Sequence, residues 1–280
     1  MFGSIGRSWE LAKGSFRVLR SDKELLIFPL LSFVALVIVS ISFIYPFYLV
    51  GGFTSAQNGE ANIASYVIAF IFYVVSYTVT FFFQTALVGA AMIRLDGGDP
   101  TIRDGFRIAF SRLPKIILYA VIAATVGMIL RWISERAGIV GQILGGVLGF
   151  AWSIATFLVV PVLVAENVGP LEAIKRSTGY LKRTWGEQIV GNAGIGLVFG
   201  LLMFLVFLLG GALLYVLFQA SITLAIIGVV ALGLIVGILA LIASALGGIF
   251  TASVYRYATK GDGGPMFNNE TLAATFRQKR

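Results

Sequence analysis

The sequence predicts an all-α polytopic membrane protein: six transmembrane helices arranged as three hairpins, each preceded by a basic amphipathic helix on the cytoplasmic surface. Three observations predict it. First, residues 25–59, 61–93, 137–165 and 188–255 carry no charged side chain, in a chain of 280 residues that is 58% apolar and 12% charged. A soluble domain carries about 25% charged residues, and an uncharged run of roughly 20 residues crosses the hydrocarbon core as a helix. Second, the remaining basic residues are sorted to one side of the spans. Third, each even-numbered span ends in a turn rich in glycine and proline: Gly97-Gly98-Asp99-Pro100, Gly169-Pro170 and Gly261-Asp262-Gly263-Gly264-Pro265. Glycine permits the reversal and proline cannot continue a helix. The apolar runs lack the two-residue alternation of a membrane barrel, so helices are expected.

The elements follow in order. Residues 1–24 form a cytoplasmic amphipathic helix, and 25–93 the first hairpin, with spans at about Leu25–Val50 and Asn62–Ile93. Residues 94–115 form a second cytoplasmic helix, and 116–165 the second hairpin. Its first span is short, with 15 residues between Lys115 and Arg131, but both flanking side chains can snorkel to headgroups. Residues 166–187 form the third cytoplasmic helix. The run after Glu187 holds 68 uncharged residues and fits two long helices turning near Phe218–Ser221, or three short ones with a further turn at Gly210-Gly211. The third hairpin therefore occupies 188–257 and the tail 258–280.

Charge settles the count in favour of six. The segments before the first span and after the second, fourth and sixth hold nineteen of the 21 Lys and Arg, against Arg131 and Arg136 on the other side. The positive-inside rule then places both termini in the cytoplasm. Residues 1–24 carry Glu10, Asp22 and Glu24 and lead into a full-length span, unlike a cleavable signal. With no cysteine either, the expected address is a prokaryotic cytoplasmic membrane.

The surface helices show apolar faces: Ile5, Trp9, Ala12, Phe16 and Leu19; then Ile102, Phe106, Ala109 and Leu113; then Leu171, Ile174, Thr178, Leu181 and Trp185. A surface helix followed by a two-span hairpin recurs three times, which suggests pseudo-threefold packing, and Arg7-Ser8, Lys13, Ser15 and Phe16 match Arg176-Ser177, Lys182, Thr184 and Trp185 at an offset of 169. The basic residues of these helices, Arg7, Lys13, Arg17, Arg20, Arg103, Arg107, Lys175, Arg176, Lys182 and Arg183, are candidate contacts for anionic lipids of the inner leaflet. The net charge of +8 follows from this topology and does not indicate a nucleic-acid partner.

This layout resembles an uncharacterised six-span prokaryotic membrane-protein family, a domain of unknown function. It is also distantly similar to the membrane domain attached to some glycerophosphodiester phosphodiesterases. The likeness is carried by Trp9-Glu10-Leu11-Ala12-Lys13 through Phe28-Pro29-Leu30, by Gly98-Asp99-Pro100, and by Gly169-Pro170-Leu171-Glu172-Ala173 through Trp185-Gly186-Glu187. The resemblance brings no known activity and no catalytic residues.

Two patterns inside the spans bear on function. Tyr66, Tyr73, Tyr77, Thr80 and Gln84 fall on one face of the second span, within about 40° at 100° per residue. They suit either interhelical hydrogen bonds or a pore or substrate lining. Gly141, Gly145 and Gly149, with Gly196/Gly200 and Gly233/Gly237, recur every fourth residue and predict close helix packing, within the chain or in a homo-oligomer. Arg131 and Glu135 read as a surface ion pair beside Trp132, and Asp99-Pro100 as a helix cap.

The chain has no Cys and no His, which removes thiol chemistry, imidazole catalysis and ordinary zinc or haem sites; no cofactor or metal is expected. No carboxylate lies inside a predicted span, which argues against a proton relay. The sequence thus favours a non-enzymatic transport- or channel-like protein built on the tyrosine stripe. A membrane-organising or lipid-binding scaffold using the basic helices follows closely, and an intramembrane lipid enzyme is the least supported.

Overall fold

The fold is known from a computed structural model, which describes residues 2–54, 62–136, 138–185 and 194–267, the side chains of 2–9, 11, 183–185, 194–199 and 201 apart. Every regular element among them is helical. In chain order these are α1 (Phe2–Ser21), a 3₁₀ turn (Lys23–Leu26), α2 (Ile27–Leu49), α3 (Ile63–Leu95), α4 (Ile102–Arg136), α5 (Gly138–Thr156), α6 (Val159–Ala165), α7 (Pro170–Trp185), α8 (Gly194–Ala220) and α9 (Ile222–Lys260). Six segments are long and apolar enough to cross a membrane: Lys23–Leu49, Ile63–Leu95, Ile102–Arg136, Gly138–Ala165, Leu202–Ala220 and Ile222–Lys260. The chain is a multi-pass membrane protein.

The helix ends have local causes. Asn62 caps α3 by accepting from the Ala64 N–H at 3.0 Å, while its own amide donates to the Val50 carbonyl at 2.8 Å. Thr101 and Asp104 form a reciprocal capping box at the start of α4, with Thr101 N–H to Asp104 at 3.1 Å and Asp104 N–H to Thr101 Oγ1 at 3.2 Å. The cap is thus Thr101, one residue beyond the expected Asp99-Pro100, because its hydroxyl reaches the first-turn amides. Ser221 caps α9 through Thr223 N–H at 3.2 Å, so the last apolar run forms two helices, with Gly210-Gly211 inside α8. Gly97, Asn167 and Gly261 take left-handed φ values of 88°, 43° and 80° at the exits of α3, α6 and α9.

Two elements differ from the expected layout. The helix predicted over 94–115 is not separate: α4 runs unbroken from Ile102 to Arg136 with Pro114 inside it. Proline at this position removes one helical hydrogen bond, and the neighbouring turns hold the helix together. The fourth span is interrupted at Phe157-Leu158, between α5 and α6. There the Leu158 N–H donates to Ser177 Oγ of α7 at 3.1 Å, which satisfies a backbone donor that the break would otherwise orphan.

The core lies toward one end of the helices. α3 is central, packing against α2, α4, α6 and α9. Its last third, Thr85–Leu95, is buried together with Leu25 and Phe28, with Val159, Val162 and Leu163 of α6, with Ala173 and Leu181 of α7, and with Ala245, Leu246 and Ile249 of α9. Small residues allow this convergence. At Gly105 a Cβ would lie 2.5 Å from the Phe28 ring and 2.9 Å from the Ala86 carbonyl oxygen. The rest of the span surface, including Ile38, Ile63, Ile139, Leu209 and Leu234, is exposed and apolar, as a lipid-facing surface must be.

The apolar faces of α1 and α7 are divided: Ala12, Leu19 and Leu181 are buried, and the other described members are not. Phe16 is 51% exposed and Leu171 72%, whereas Ser15 and Ser177 are fully buried. α1 packs on α8 and α9, and α7 on α6, α5 and α9, so Ser15 and Ser177 pack inward beside Val18, Leu19 and Leu181 while Phe16 and Leu171 face outward. Burial also corrects the repeat register. Lys13, Ser15 and Leu19 match Lys175, Ser177 and Leu181 at an offset of 162, not 169, and match Arg107, Ala109 and Leu113 at 94. Ser15, Ala109 and Ser177 are each 0% exposed.

Candidate functional site

The end of the structure nearest the core gathers most of the charge, in polar clusters that bind separate helices together. Arg94, at the end of α3, donates to both carboxylate oxygens of Asp22 and to Asp99 at 2.6 Å. Asp22 is nearly buried, so its pairing with Arg94 offsets the cost of taking a carboxylate out of water. Arg256 of α9 pairs with Asp96 and, at 2.9 Å, with Asp262; Lys260 reaches Asp96 at 2.8 Å. These contacts tie the exit of α9 to the exit of α3.

Glu166, just past α6, accepts from three different side chains. One carboxylate oxygen accepts from Tyr180 at 2.8 Å and Tyr255 at 2.7 Å, the other from Arg176 at 2.6 Å. Burial pushes the Glu166 carboxyl up, but donation from Arg176, Tyr255 and Tyr180 outweighs it and holds the group below the usual carboxylate range. Arg176 is raised in turn by hydrogen bonding to Glu166 and Glu172. The Asp262 carboxyl is lowered chiefly by the Arg256 guanidinium and then by the Gly264 N–H. Beside this cluster, Arg112 and Lys115 of α4 both donate to the Asn167 amide oxygen.

None of these clusters was legible in advance. The acids Asp96, Asp99 and Glu166 read as scattered turn residues, because their partners Arg256, Arg94 and Tyr255 are distant in sequence or adjacent without a recognisable motif. One signal was present: Asp96 and Glu166 both stand four residues before a proline, at the exits of α3 and α6.

Of the candidate lipid contacts, the structure separates two groups. Lys13 pairs with Glu10 at 2.9 Å, Arg107 with Asp104 at 3.3 Å, and Arg176 with Glu166 and Glu172. Arg17, Arg20, Arg103, Lys175 and Lys182 are exposed and have no carboxylate partner among the described residues. The side chains of Arg7 and Arg183 lie outside the described residues.

The stripe on α3 divides as well. Tyr73, Tyr77 and Phe81 form a stack, with ring centroids 6.3 Å and 5.7 Å apart, and Phe81 meets Tyr119 of α4 at 4.4 Å. The Tyr73 hydroxyl accepts from Arg131 at 3.1 Å, and Arg131 also holds Glu135 at 2.6 Å. Thr80 donates back to the Ser76 carbonyl of its own helix at 2.9 Å. Tyr66 and Gln84 are exposed. The structure therefore brings Tyr73 and Tyr77 together against α4 and leaves Tyr66 and Gln84 apart from them.

Among the glycines, Gly141 is buried, and a Cβ at Gly145 would meet Ser134 at 3.1 Å, so this pair faces α4. Gly149, Gly200, Gly233 and Gly237 have no atom within 4 Å of an added Cβ, and Gly196 lies among the residues whose side-chain surroundings are outside the description. The close approaches in the last two helices fall elsewhere, at Gly210 against Leu232 and Gly228 against Leu217.

No curated protein and no solved structure matches the chain, and the comparisons lend no support to the likeness to phosphodiesterase membrane domains. A family model does match, over residues 63–266, and so takes in five of the six spans and all four polar clusters except the Asp22 side of the first. The chain belongs to the family of unknown function DUF6159.

Proposed function

We propose that this protein is a non-enzymatic membrane-organising protein that gathers anionic lipids around a basic cytoplasmic face. The observation that carries this reading is the arrangement on α1, the start of α4, and α7. Arg17, Arg20, Arg103, Lys175 and Lys182 stand exposed without ion-pair partners among the described residues, beside the exposed apolar side chains Phe16, Phe110 and Leu171. Asp22, Glu166 and Asp96 are already engaged by Arg94, Arg176 and Arg256, Glu10 by Lys13, and Asp104 by Arg107. Exposed cations next to exposed aromatic and aliphatic groups suit the headgroup level, where the former meet phosphates and the latter the acyl boundary. Each base near an anionic leaflet contributes about 1 kcal/mol.

A transport path along the α3 stripe has less support, since Tyr73 and Tyr77 are taken up by ring stacking and Thr80 by its own helix. Orientation follows from the same charges: the polar end faces the cytoplasm, and reporter fusions after Arg280 and at Gly59 are expected on opposite sides.

The test is the lipid composition around the purified protein. In mixed vesicles of phosphatidylcholine and phosphatidylglycerol, the wild-type chain should enrich the anionic lipid, with the enrichment falling as salt rises. Replacing Arg17, Arg20 and Lys182 with Gln should remove most of it. Equal enrichment in the variant, or none in the wild type, would leave the basic face with a topological role only.

A further inference from the structure

Three of the four polar clusters at the basic end contain acids, and the fourth, among the described residues, contains none. Arg94 stands between Asp22 and Asp99, Arg256 between Asp96 and Asp262, and Arg176 between Glu166 and Glu172. Among the described residues, Arg112 and Lys115 have only neutral acceptors. Lys115 Nζ donates to the Asn167 amide oxygen at 2.6 Å, Arg112 Nη1 donates to the same atom, and Arg112 Nη2 donates to the Val164 carbonyl at 3.1 Å. Arg112 Nε is buried and has no hydrogen-bond partner among the described residues. Two cations therefore converge on one uncharged oxygen, repelling each other, with one donor unused. The adjacent carboxylate, Glu166, does not relieve them because its oxygens are taken by Tyr180, Tyr255 and Arg176.

We propose that Arg112 and Lys115, gathered at Asn167, form a discrete binding site for a phosphate-bearing anion. The guanidinium fork and the ammonium offer several donors to the several oxygens of a phosphate, and an anion supplies the charge that the amide oxygen cannot. Asn167 closes the site from the α6 side, held there by its left-handed backbone at φ 43°. Two sources share this chemistry: the phosphate of a lipid headgroup, and a soluble phosphate. The lipid source rests on the proposed lipid-binding reading; the site itself does not.

Asn167→Asp provides the test, because it places a carboxylate between the two cations and aspartate tolerates left-handed φ much as asparagine does. The full-length protein is reconstituted in phosphatidylcholine nanodiscs, with and without a small fraction of phosphatidic acid. Retained lipid is counted by native mass spectrometry, and inorganic phosphate binding is followed separately by phosphorus resonance. The wild type should hold one phosphatidic acid, or one inorganic phosphate, through washing, and that ligand should raise its thermal midpoint. Asn167→Asp, and separately Arg112→Gln with Lys115→Gln, should weaken retention at least tenfold. Asn167→Asp should also be more heat-stable than the wild type without any ligand, which shows that it folds. Retention of the lipid assigns the site to a headgroup, and retention of inorganic phosphate alone assigns it to a soluble anion. Arg17→Gln with Arg20→Gln should leave this single ligand in place even where general anionic enrichment is lost, so the two readings fail separately. Equal retention in Asn167→Asp and wild type, or no retention of either probe by the wild type, overturns the proposal.

Discussion

Tyr255 of α9 donates its hydroxyl to Glu166 at 2.7 Å, a contact that joins residues 89 apart and couples the last span to the interrupted fourth. At the interruption itself, Ser177 of α7 accepts the Leu158 N–H. The short helix α6 is thus held at both ends, by Ser177 at Leu158 before it and by the partners of Glu166 after it.

Glu166→Gln should destabilise the protein by about 1–2 kcal/mol, within the range for hydrogen bonds to a charged group and reduced by the solvent exposure of Arg176. The amide keeps one acceptor for the tyrosines but loses the charge that holds Arg176. Because the folded-state value of Glu166 lies below its ordinary one, its contribution is present above about pH 4.3, the unfolded value, and is lost as pH falls through the folded value. A thermal-unfolding series from pH 7 to pH 3 should show a smaller loss in Glu166→Gln than in the wild type. Parallel curves would remove Glu166 from the account of stability.

Tyr73→Phe deletes the acceptor that Arg131 reaches from α4 but keeps the ring that stacks on Tyr77. Its expected cost is about 0.6 kcal/mol, the average for a hydrogen bond between membrane helices. In a double-mutant cycle with Arg131→Gln, the pair should couple by a similar amount. Thr80→Cys should stay unreactive toward a water-soluble thiol reagent, with no background because the chain has no native Cys. Rapid labelling at position 80 would instead place water along α3 and revive the transport path.

Most of the spans could be read from the sequence because a membrane imposes a simple rule, an uncharged run of sufficient length; the third, with 15 uncharged residues between Lys115 and Arg131, needed its flanking side chains to complete it. Helices do form over the first and third of the expected surface segments, as α1 and α7, whereas the second is the start of α4, and only part of each apolar face is buried. Periodicity assumes that the apolar residues face the core, and in a membrane protein lipid accepts them equally well. Phe16 and Leu171 therefore turn outward while Ser15 and Ser177 pack between helices. The same reasoning explains the polar clusters. Asp96 and Arg256 are 160 residues apart, and only the packing of α3 against α9 brings them together.

Glycine spacing shows the limit of pattern most sharply, and it yields a paired test. Gly105 follows no four-residue repeat, yet a methyl group there meets the Ala86 carbonyl oxygen at 2.9 Å, a backbone atom that cannot swing aside. Gly237 sits in such a repeat and has open space around it. Gly105→Ala should therefore cost about 1–3 kcal/mol through overpacking, measured as the thermal midpoint of the detergent-solubilised protein. Gly237→Ala should be neutral or stabilising by up to about 1 kcal/mol, since alanine is the better helix former and nothing in the chain opposes it. Gly237→Leu, with the particle mass measured in the same detergent, then reads the purpose of the open face. An unchanged midpoint with an unchanged mass leaves that face to lipid, whereas an unchanged midpoint with a smaller mass shows that the glycines admit a second copy of the chain. A large loss of stability in Gly237→Leu would mean that α9 packs more closely within one chain than the open space around Gly237 allows.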